Sequence, residues 1–264
     1  MKTRIISAIV AFAIFIPFLF AGGYYFAYLM LVLGAIGLYE LARMKKIEYF
    51  NIIGIISTIA LAFVLLPDHY FLSFLGRGHQ QFIFYIFCII LLVFTVIRHE
   101  TFNFEEAAVL VFSILYIGFG FRFLISIRDM GVETIFYLFA VIWSTDIGAY
   151  FIGKAIGKNK LAPAISPNKT VEGFLGGLLS AFIVGSLYIW IVNPNLGGAN
   201  HVWILTIALS LVGQLGDLVE SAYKRHFGVK DSGKLIPGHG GVLDRFDSTI
   251  FASFMMIIWL NFFR

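Results

Sequence analysis

Most side chains that could do chemistry lie in one stretch, GDLVESAYKRHFGVKDSGKLIPGHGGVLDRFD, from Gly216 to Asp247. Asp217, Ser221 and Lys224 stand at positions i, i+4 and i+7 within it. On a helix this spacing puts the three side chains on one face, so a carboxylate, a hydroxyl and an ammonium group point the same way. Such a face is suited to a cation and a phosphate group together.

The stretch continues into a glycine-rich loop and a pair of aspartates. PGHGG, Pro237 to Gly241, cannot remain helical, and its glycines let backbone N–H groups turn towards an anion. Asp244 and Asp247 follow at i and i+3, where the last apolar run begins. Carboxylates beside basic residues suit Mg2+, which takes one or two of them and leaves its other positions to water and phosphate. The alternative is a basic loop with salt bridges and no functional role. A loop selected for solubility alone, however, would not need glycines on both sides of a histidine.

A second candidate is Asp146, which lies inside the apolar segment WSTDIGAY. A charged side chain in hydrocarbon costs roughly 2.5–3.5 kcal/mol on insertion scales and is by default functional or paired. Tyr150 lies one helical turn further along the same face. An ion pair with Lys154, or with a cation on a neighbouring helix, would explain Asp146 without a functional role.

A third candidate is SPNKTVEG, Ser166 to Gly173, which lies just before another apolar run. Pro167 ends any preceding helix, and Lys169 adds a cation. Helix-capping side chains are available at Ser166, Asn168 and Thr170. Backbone N–H groups at a helix start, with a lysine beside them, make a phosphate site. Ordinary capping with an incidental lysine is the alternative.

The rest of the chain indicates that these groups are held in a membrane. Of 264 residues, 60% are hydrophobic and 13% are charged, against about 45–50% apolar and about 25% charged in an ordinary soluble domain. With 30 Phe the chain has more apolar surface than a soluble globule of its size could bury, so much of that surface must face lipid. Composition thus excludes a water-soluble single domain. The single cysteine, Cys88, excludes a disulfide framework or a cysteine metal site within one chain.

About 20 mostly apolar residues cross a bilayer, and this length predicts an all-α, polytopic membrane protein. Nine candidate spans lie at about 5–21, 23–42, 52–67, 82–97, 106–126, 134–153, 173–193, 201–219 and 247–262. Gly22 and Gly23 indicate a tight hairpin between the first two. A count of eight is the alternative. Residues 1–22 could also be a secretory signal peptide, but Pro17 lies within that segment and no polar, cleavable stretch follows it.

The distribution of Lys and Arg predicts the orientation. Fifteen of the 19 lie in residues 1–4, 43–51, 98–105, 154–172 and 220–246, and the other four are Arg77, Arg122, Arg128 and Arg264. The positive-inside rule then places the N-terminus and the two long basic loops in the cytoplasm and the C-terminus outside. Nine spans agree with this bias, whereas eight would break it. The net charge of +4 is therefore polarised and suits anionic lipid head groups or phosphorylated ligands.

At residues 141–247 the chain resembles the phosphatidate cytidylyltransferases, also called CDP-diacylglycerol synthases. The residues that match the family signature are Ser221, Lys224, Arg225, Lys230, Asp231, Gly233, Ile236, Pro237, His239, Gly240, Gly241, Val242, Asp244, Arg245 and Asp247. SPNKTVEG and WSTDIGAY resemble further stretches of the family. Tyr223 is a small departure, since an aliphatic residue or Phe is usual there. The N-terminal spans match only in general character.

The resemblance implies that CTP and phosphatidate react to give CDP-diacylglycerol and pyrophosphate, with Mg2+, on the cytoplasmic face of a bacterial-type inner membrane. It implies membrane lipids as surroundings, a possible homodimer and no nucleic-acid partner. Residues 1–133, with about five spans, would form a scaffold, and residues 134–264 would carry the catalytic site.

The resemblance also suggests residue roles. Asp217 and Asp244 are the first-choice Mg2+ ligands, with Asp247 and Asp146 as further ligands or as ligands of a possible second cation. Phosphate contacts are expected from Lys169, Lys224, Arg225, Lys230 and Arg245, helped by the backbone of Gly240 and Gly241. Other substrate contacts are expected from Ser166, Asn168, Thr170, Ser221 and Asp231. His239 would hydrogen-bond a phosphate or protonate the leaving pyrophosphate.

Three other functions would also use some of these residues. In a cation- or proton-coupled transporter, Asp146 and Asp217 would form the ion site. Transporters commonly contain internal repeats, and here only a weak similarity between DIGAY and DLVESAY suggests one. A CDP-alcohol phosphatidyltransferase would need a DGxxAR signature, which is missing. A lipid kinase using CTP or ATP is harder to exclude from chemistry alone.

Overall fold

The structure is a computed structural model, and it describes residues 2–71, 79–194, 196, 201–235, 238 and 240–263. Its elements are α1 (Lys2–Ala21), α2 (Gly23–Met44), α3 (Ile52–Leu65), α4 (Asp68–Phe71), α5 (His79–Ile97), α6 (Phe104–Met130), α7 (Val132–Ile156), β1 (Lys160–Ala162), β2 (Ser166–Thr170), α8 (Val171–Val192), α9 (Val202–His226) and α10 (Leu243–Phe263). The protein is thus predominantly helical, and a helix other than the short α4 lies at each predicted span.

Six helices are long and apolar enough to cross a membrane among the residues that the structure describes: α2, α5, α6, α7, α8 and α9. The apolar part of α1, Ile6–Ala21, and helix α3 are shorter. A polytopic membrane protein is therefore supported, while the count of nine spans is not confirmed. The predicted tight turn between the first two helices is confirmed, because α1 ends at Ala21 and α2 begins at Gly23.

The all-α prediction is confirmed, and one small antiparallel hairpin lies between α7 and α8. Strands β1 and β2 pair with Lys160 opposite Thr170 and Ala162 opposite Ser166. Glu172 fixes the start of the hairpin, because its carboxylate accepts hydrogen bonds from the backbone N–H of Lys158 (3.1 Å) and from Asn159 Nδ2 (2.7 Å). Local hydrogen bonds thus order the basic segment before α8. A hydropathy profile does not detect such bonds.

The chain divides into two compact units. Unit 1 contains Met1–Ser126 and Asp231–Asp244, and unit 2 contains Ile127–Lys230 and Arg245–Arg264. The glycine-rich segment therefore groups with the N-terminal helices. The predicted functional division into a scaffold, 1–133, and a catalytic half, 134–264, stays a prediction.

In unit 1, helix α2 approaches its neighbours closely through glycines. A Cβ added at Gly34 would lie 2.6 Å from Leu65 Cδ1, and one at Gly37 would lie 3.0 Å from Leu243 Cδ2. Small residues let helices approach each other within a membrane. Glu40, one turn beyond Gly37, is thereby brought against residues 242 and 243.

In unit 2, helices α7 and α8 pack through the small-residue pair Gly173 and Gly177, which has GxxxG spacing. A Cβ at Gly173 would lie 2.8 Å from the carbonyl oxygen of Ala149, and one at Gly177 would lie 2.9 Å from that of Thr145. Helices α7 and α9 are joined by a hydrogen bond of 2.8 Å from Thr145 Oγ1 to Ser210 Oγ. This packing fixes the helices that carry Asp146 and Asp217.

Candidate functional site

Asp217, on α9, contacts two other side chains of the predicted site in unit 2. Lys169 Nζ, on strand β2, lies 2.6 Å from Asp217 Oδ2. Ser221 Oγ donates to Asp217 Oδ1 over 3.4 Å. The predicted common face of Asp217 and Ser221 is therefore confirmed, and an ion pair joins the hairpin to α9.

Lys224, the third residue of that predicted face, pairs with Glu220. Lys224 Nζ lies 3.4 Å from Glu220 Oε2, and only 11% of the lysine side chain and 0% of the glutamate side chain are exposed. Asp247, on α10, also interacts electrostatically with Lys224. The ammonium group is therefore paired with Glu220 and lies within electrostatic range of Asp247. Glu220 does not belong to any of the predicted motifs, although a carboxylate within an apolar helix is by itself a signal of function or pairing.

Three of the predicted metal-binding aspartates interact with one another in unit 2. Asp146 on α7 is within electrostatic range of Asp217 and Asp247. Helices α9 and α10 are close at this point, because a Cβ at Gly216 would lie 2.7 Å from the backbone oxygen of Asp247. Lys154, the alternative partner of Asp146, instead lies over the ring of Tyr150, 5.8 Å from its centroid.

The donor set of these aspartates suits Mg2+ in chemistry and in number. Within the described part of the chain, no group of three or more His, Cys, Asp or Glu side chains is arranged to hold a metal ion. Mg2+ needs only one or two carboxylates when water and phosphate supply its remaining ligands. Asp217 with one of its two neighbours would meet that need, and the role of Asp244 as a ligand stays a prediction.

Arg225 is bonded to two backbone carbonyl groups. Its Nε donates to the carbonyl oxygen of Ile165 over 3.2 Å, and its Nη1 donates to that of Val229 over 3.1 Å. The guanidinium group thus ties the hairpin to the segment after α9. Lys230 and Arg245, two other predicted phosphate contacts, are exposed, and the substrate roles of all three stay predictions.

Of the three predicted capping residues before α8, only Thr170 is its N-cap. Thr170 Oγ1 accepts a hydrogen bond from the backbone N–H of Gly173 over 3.1 Å. Ser166 and Asn168 instead lie on strand β2, where Asn168 is exposed and Ser166 is half-buried. The capping prediction was therefore wrong for these two residues, because the segment pairs as a strand before the helix begins.

In unit 1, Asp244 organises the glycine-rich segment. Its Oδ2 accepts hydrogen bonds from the backbone N–H of Ser232 (2.8 Å) and of Gly241 (2.8 Å), and from Ser232 Oγ (2.9 Å). Gly240 has φ +82°, a left-handed conformation that suits glycine. The Gly241 amide is thus bonded to a carboxylate of the chain itself. Asp231 is exposed, and His239 lies outside the described residues.

Glu40 of α2, which belongs to none of the predicted motifs, also contacts this part of unit 1. Glu40 Oε1 accepts a hydrogen bond from the backbone N–H of Val242 (2.9 Å), and Oε2 accepts from that of Leu243 (3.0 Å) and from Ser232 Oγ (3.1 Å). Glu40 is only 2% exposed. The available signal was a carboxylate inside a candidate span.

Comparison with known proteins gives the family. The model of the cytidylyltransferase family matches residues 2–263. A phosphatidate cytidylyltransferase of Staphylococcus aureus (strain COL) is 45% identical over 254 residues, covering 95% of each chain. That of Bacillus subtilis (strain 168) is 43% identical over 255 residues, covering 95% of this chain and 94% of the relative. With a family match over nearly its whole length and relatives this similar, the chain belongs to the cytidylyltransferase family.

Proposed function

We propose that this chain transfers the cytidylyl group of CTP to phosphatidate, giving CDP-diacylglycerol and pyrophosphate, with Mg2+, at the cytoplasmic face of the membrane. The relatives named phosphatidate cytidylyltransferase support the substrates. The observation that carries the proposal within this chain is the pairing of Lys169 with Asp217, 2.6 Å apart. This pair places a cation for phosphate beside a carboxylate for a metal.

The reaction requires no nucleophile from the protein. A phosphate monoester has a second pKa of about 6, so phosphatidate carries a nucleophilic oxygen at neutral pH. That oxygen forms a bond to the α-phosphorus of CTP, while the bond from the α-phosphorus to the bridging oxygen breaks and pyrophosphate leaves. The obstacle is repulsion between two polyanions, and the protein must chiefly position and neutralise them.

Two lysines in unit 2 are suited to that task. Lys169 is oriented by Asp217 and Lys224 by Glu220. A charge-assisted hydrogen bond from a pre-oriented ammonium group is stronger than a neutral one. Lys169 and Lys224 would therefore bind phosphate oxygens with little reorganisation. We keep Lys230, Arg245 and Arg225 as further phosphate contacts on the strength of the sequence alone.

For Mg2+, Asp217 is the first candidate ligand, with Asp247 and Asp146 as its neighbours. When bound, the cation would neutralise charge on the nucleotide phosphates. Asp244 as a ligand, a possible second cation and the role of His239 are proposals from the sequence. Glu220 would hold Lys224 in place beside these carboxylates.

We further propose nine spans, a cytoplasmic N-terminus and an extracytoplasmic C-terminus in a bacterial-type inner membrane. The support is the polarised distribution of Lys and Arg. The same side then carries the hairpin and the basic segment after α9. A homodimer and surrounding lipids are expected from the family resemblance.

The proposed function is tested by supplying the purified full chain, in detergent micelles, with CTP, Mg2+ and one of two lipid acceptors. With phosphatidate, we expect CDP-diacylglycerol by mass spectrometry and one pyrophosphate for each molecule formed. With diacylglycerol, we expect no lipid product, because the acceptor lacks the nucleophilic phosphate. A phosphorylated product from diacylglycerol would identify a lipid kinase instead.

A further inference from the structure

Ser232, Val242 and Leu243, in the described part of the glycine-rich stretch, are bonded in unit 1 to a carboxylate of helix α2. We propose that Glu40, on α2, is a positioning residue that holds the backbone of residues 241–243, and through it Asp244, in the geometry needed for nucleotide and metal binding. This proposal rests on the proposed function, because it assumes that Asp244 and its glycine-rich segment contact the substrate.

The first observation is that Glu40 caps a helix to which it does not belong. The first N–H groups of a helix have no partner within that helix. At the start of α10, Val242 has an apolar side chain and cannot supply a cap. Glu40 accepts from the N–H groups of Val242 (2.9 Å) and Leu243 (3.0 Å), so it replaces the usual local cap.

The second observation is that two glycines leave room for this carboxylate. A Cβ added at Gly233 or at Gly241 would collide with Glu40 Oε1. Both glycines are buried. Gly233 and Gly241 therefore both lie against the Glu40 carboxylate, which the capping hydrogen bonds alone would not require.

The third observation links Glu40 to Asp244 through one hydroxyl group. Ser232 Oγ lies 3.1 Å from Glu40 Oε2 and 2.9 Å from Asp244 Oδ2. A serine hydroxyl has one proton to donate, so the two carboxylates share a single donor. A change at Glu40 therefore alters the hydrogen bonding of Asp244 directly.

The test measures two properties of Glu40→Gln in the full chain. In steady-state assays, we expect the KM for CTP and the Mg2+ concentration for half-maximal rate to rise about 10-fold or more, as for other groups that orient ligands. The KM for phosphatidate should change little. In hydrogen–deuterium exchange without substrates or Mg2+, the amides of residues 241–243 should exchange faster. The matched control is Glu48→Gln, an exposed glutamate just beyond α2, which should behave as wild type.

A second variant covers the case in which Glu40→Gln does not fold. Gly241→Ala places a methyl group against the Glu40 carboxylate and the Ser232 hydroxyl bonded to it, and should raise the same KM. Where both single variants fold, the double variant should be no worse than the poorer single one, because both disturb the same hydrogen-bonded cluster.

Three results would overturn the positioning role. One is a wild-type KM for CTP in Glu40→Gln. Another is an equal rise in the KM for CTP and in the KM for phosphatidate, together with destabilisation of the whole protein. The third is wild-type kinetics in Gly241→Ala. A failure of the wild-type chain to make CDP-diacylglycerol would instead overturn the proposed function. The exchange measurement would then still decide whether Glu40 holds the segment.

Discussion

Lys169 and Asp217 form an ion pair of 2.6 Å between strand β2 and helix α9. The lysine comes from the segment before α8 and the aspartate from the third-last turn of α9. Two polar groups that are far apart in the sequence therefore meet within unit 2. Their side chains are 26% and 32% exposed, so neither is fully enclosed by the protein.

The role of Lys169 can be separated from that of the other hairpin lysines. Replacing Lys169 by Ala should lower kcat/KM about 100-fold, because a charged contact to the transition state is lost. Lys169→Arg should recover part of the activity, since the positive charge is retained. Lys160→Ala, which removes an exposed lysine of β1, is the control. Equal activities of the Lys169→Ala and Lys160→Ala proteins would show that Lys169 has no special role.

For the buried pair of Lys224 and Glu220, the effect of Lys224 on protein stability can be measured apart from its effect on turnover. Removing only the lysine, as Lys224→Met, leaves a buried carboxylate with less compensation and should destabilise the protein by about 3 kcal/mol. Adding Glu220→Gln should recover much of the thermal stability but none of the turnover. Thermal unfolding and the rate of CDP-diacylglycerol formation, measured on the same samples, test both expectations. Recovery of activity along with stability would mean that Lys224 is purely structural.

The proposed metal role of Asp217 predicts a specific change in Mg2+ dependence. Asp217→Asn keeps the size of the side chain and removes its charge, so turnover should fall by at least about 100-fold. A lost ligand should also move the Mg2+ requirement to higher concentration or abolish metal dependence. Near-normal rates at an unchanged Mg2+ optimum would move the metal assignment to Asp146 and Asp247.

The predicted orientation is tested with reporters. A reporter fused after Arg264 should be extracytoplasmic, and one inserted near Lys158 should be cytoplasmic, because Lys and Arg concentrate on one set of loops. If both reporters are found on the same side, the nine-span arrangement is wrong.

The spacing of residues along the chain predicted those contacts of the site that lie within one helix or at its start. The i, i+4 pair of Asp217 and Ser221 is confirmed as a contact, and Thr170 caps α8 as its type and position indicated. The positions of the long helices also follow from apolar length. These features depend on residues within a few turns of one another, which is the range that sequence periodicity reports.

Contacts between distant segments could not be predicted in the same way. The pairing of Lys169 with Asp217 depends on the hairpin at 160–170, which was not expected in an all-α chain. Glu40 contacts residues about 190–200 positions away, and no periodicity encodes that separation. Both Glu40 and Glu220 could still have been noted, because a carboxylate in an apolar helix is costly unless it is paired.

The central claim is cytidylyl transfer to a lipid phosphate. The most direct test is to follow which labelled phosphate of CTP enters the lipid. The purified chain would be supplied with phosphatidate, Mg2+ and CTP labelled either at the α-phosphate or at the γ-phosphate. We predict that the α label enters the lipid product and that the γ label leaves as soluble pyrophosphate. Transfer of the γ label to lipid, or absence of label from lipid with either CTP, would contradict the proposed function.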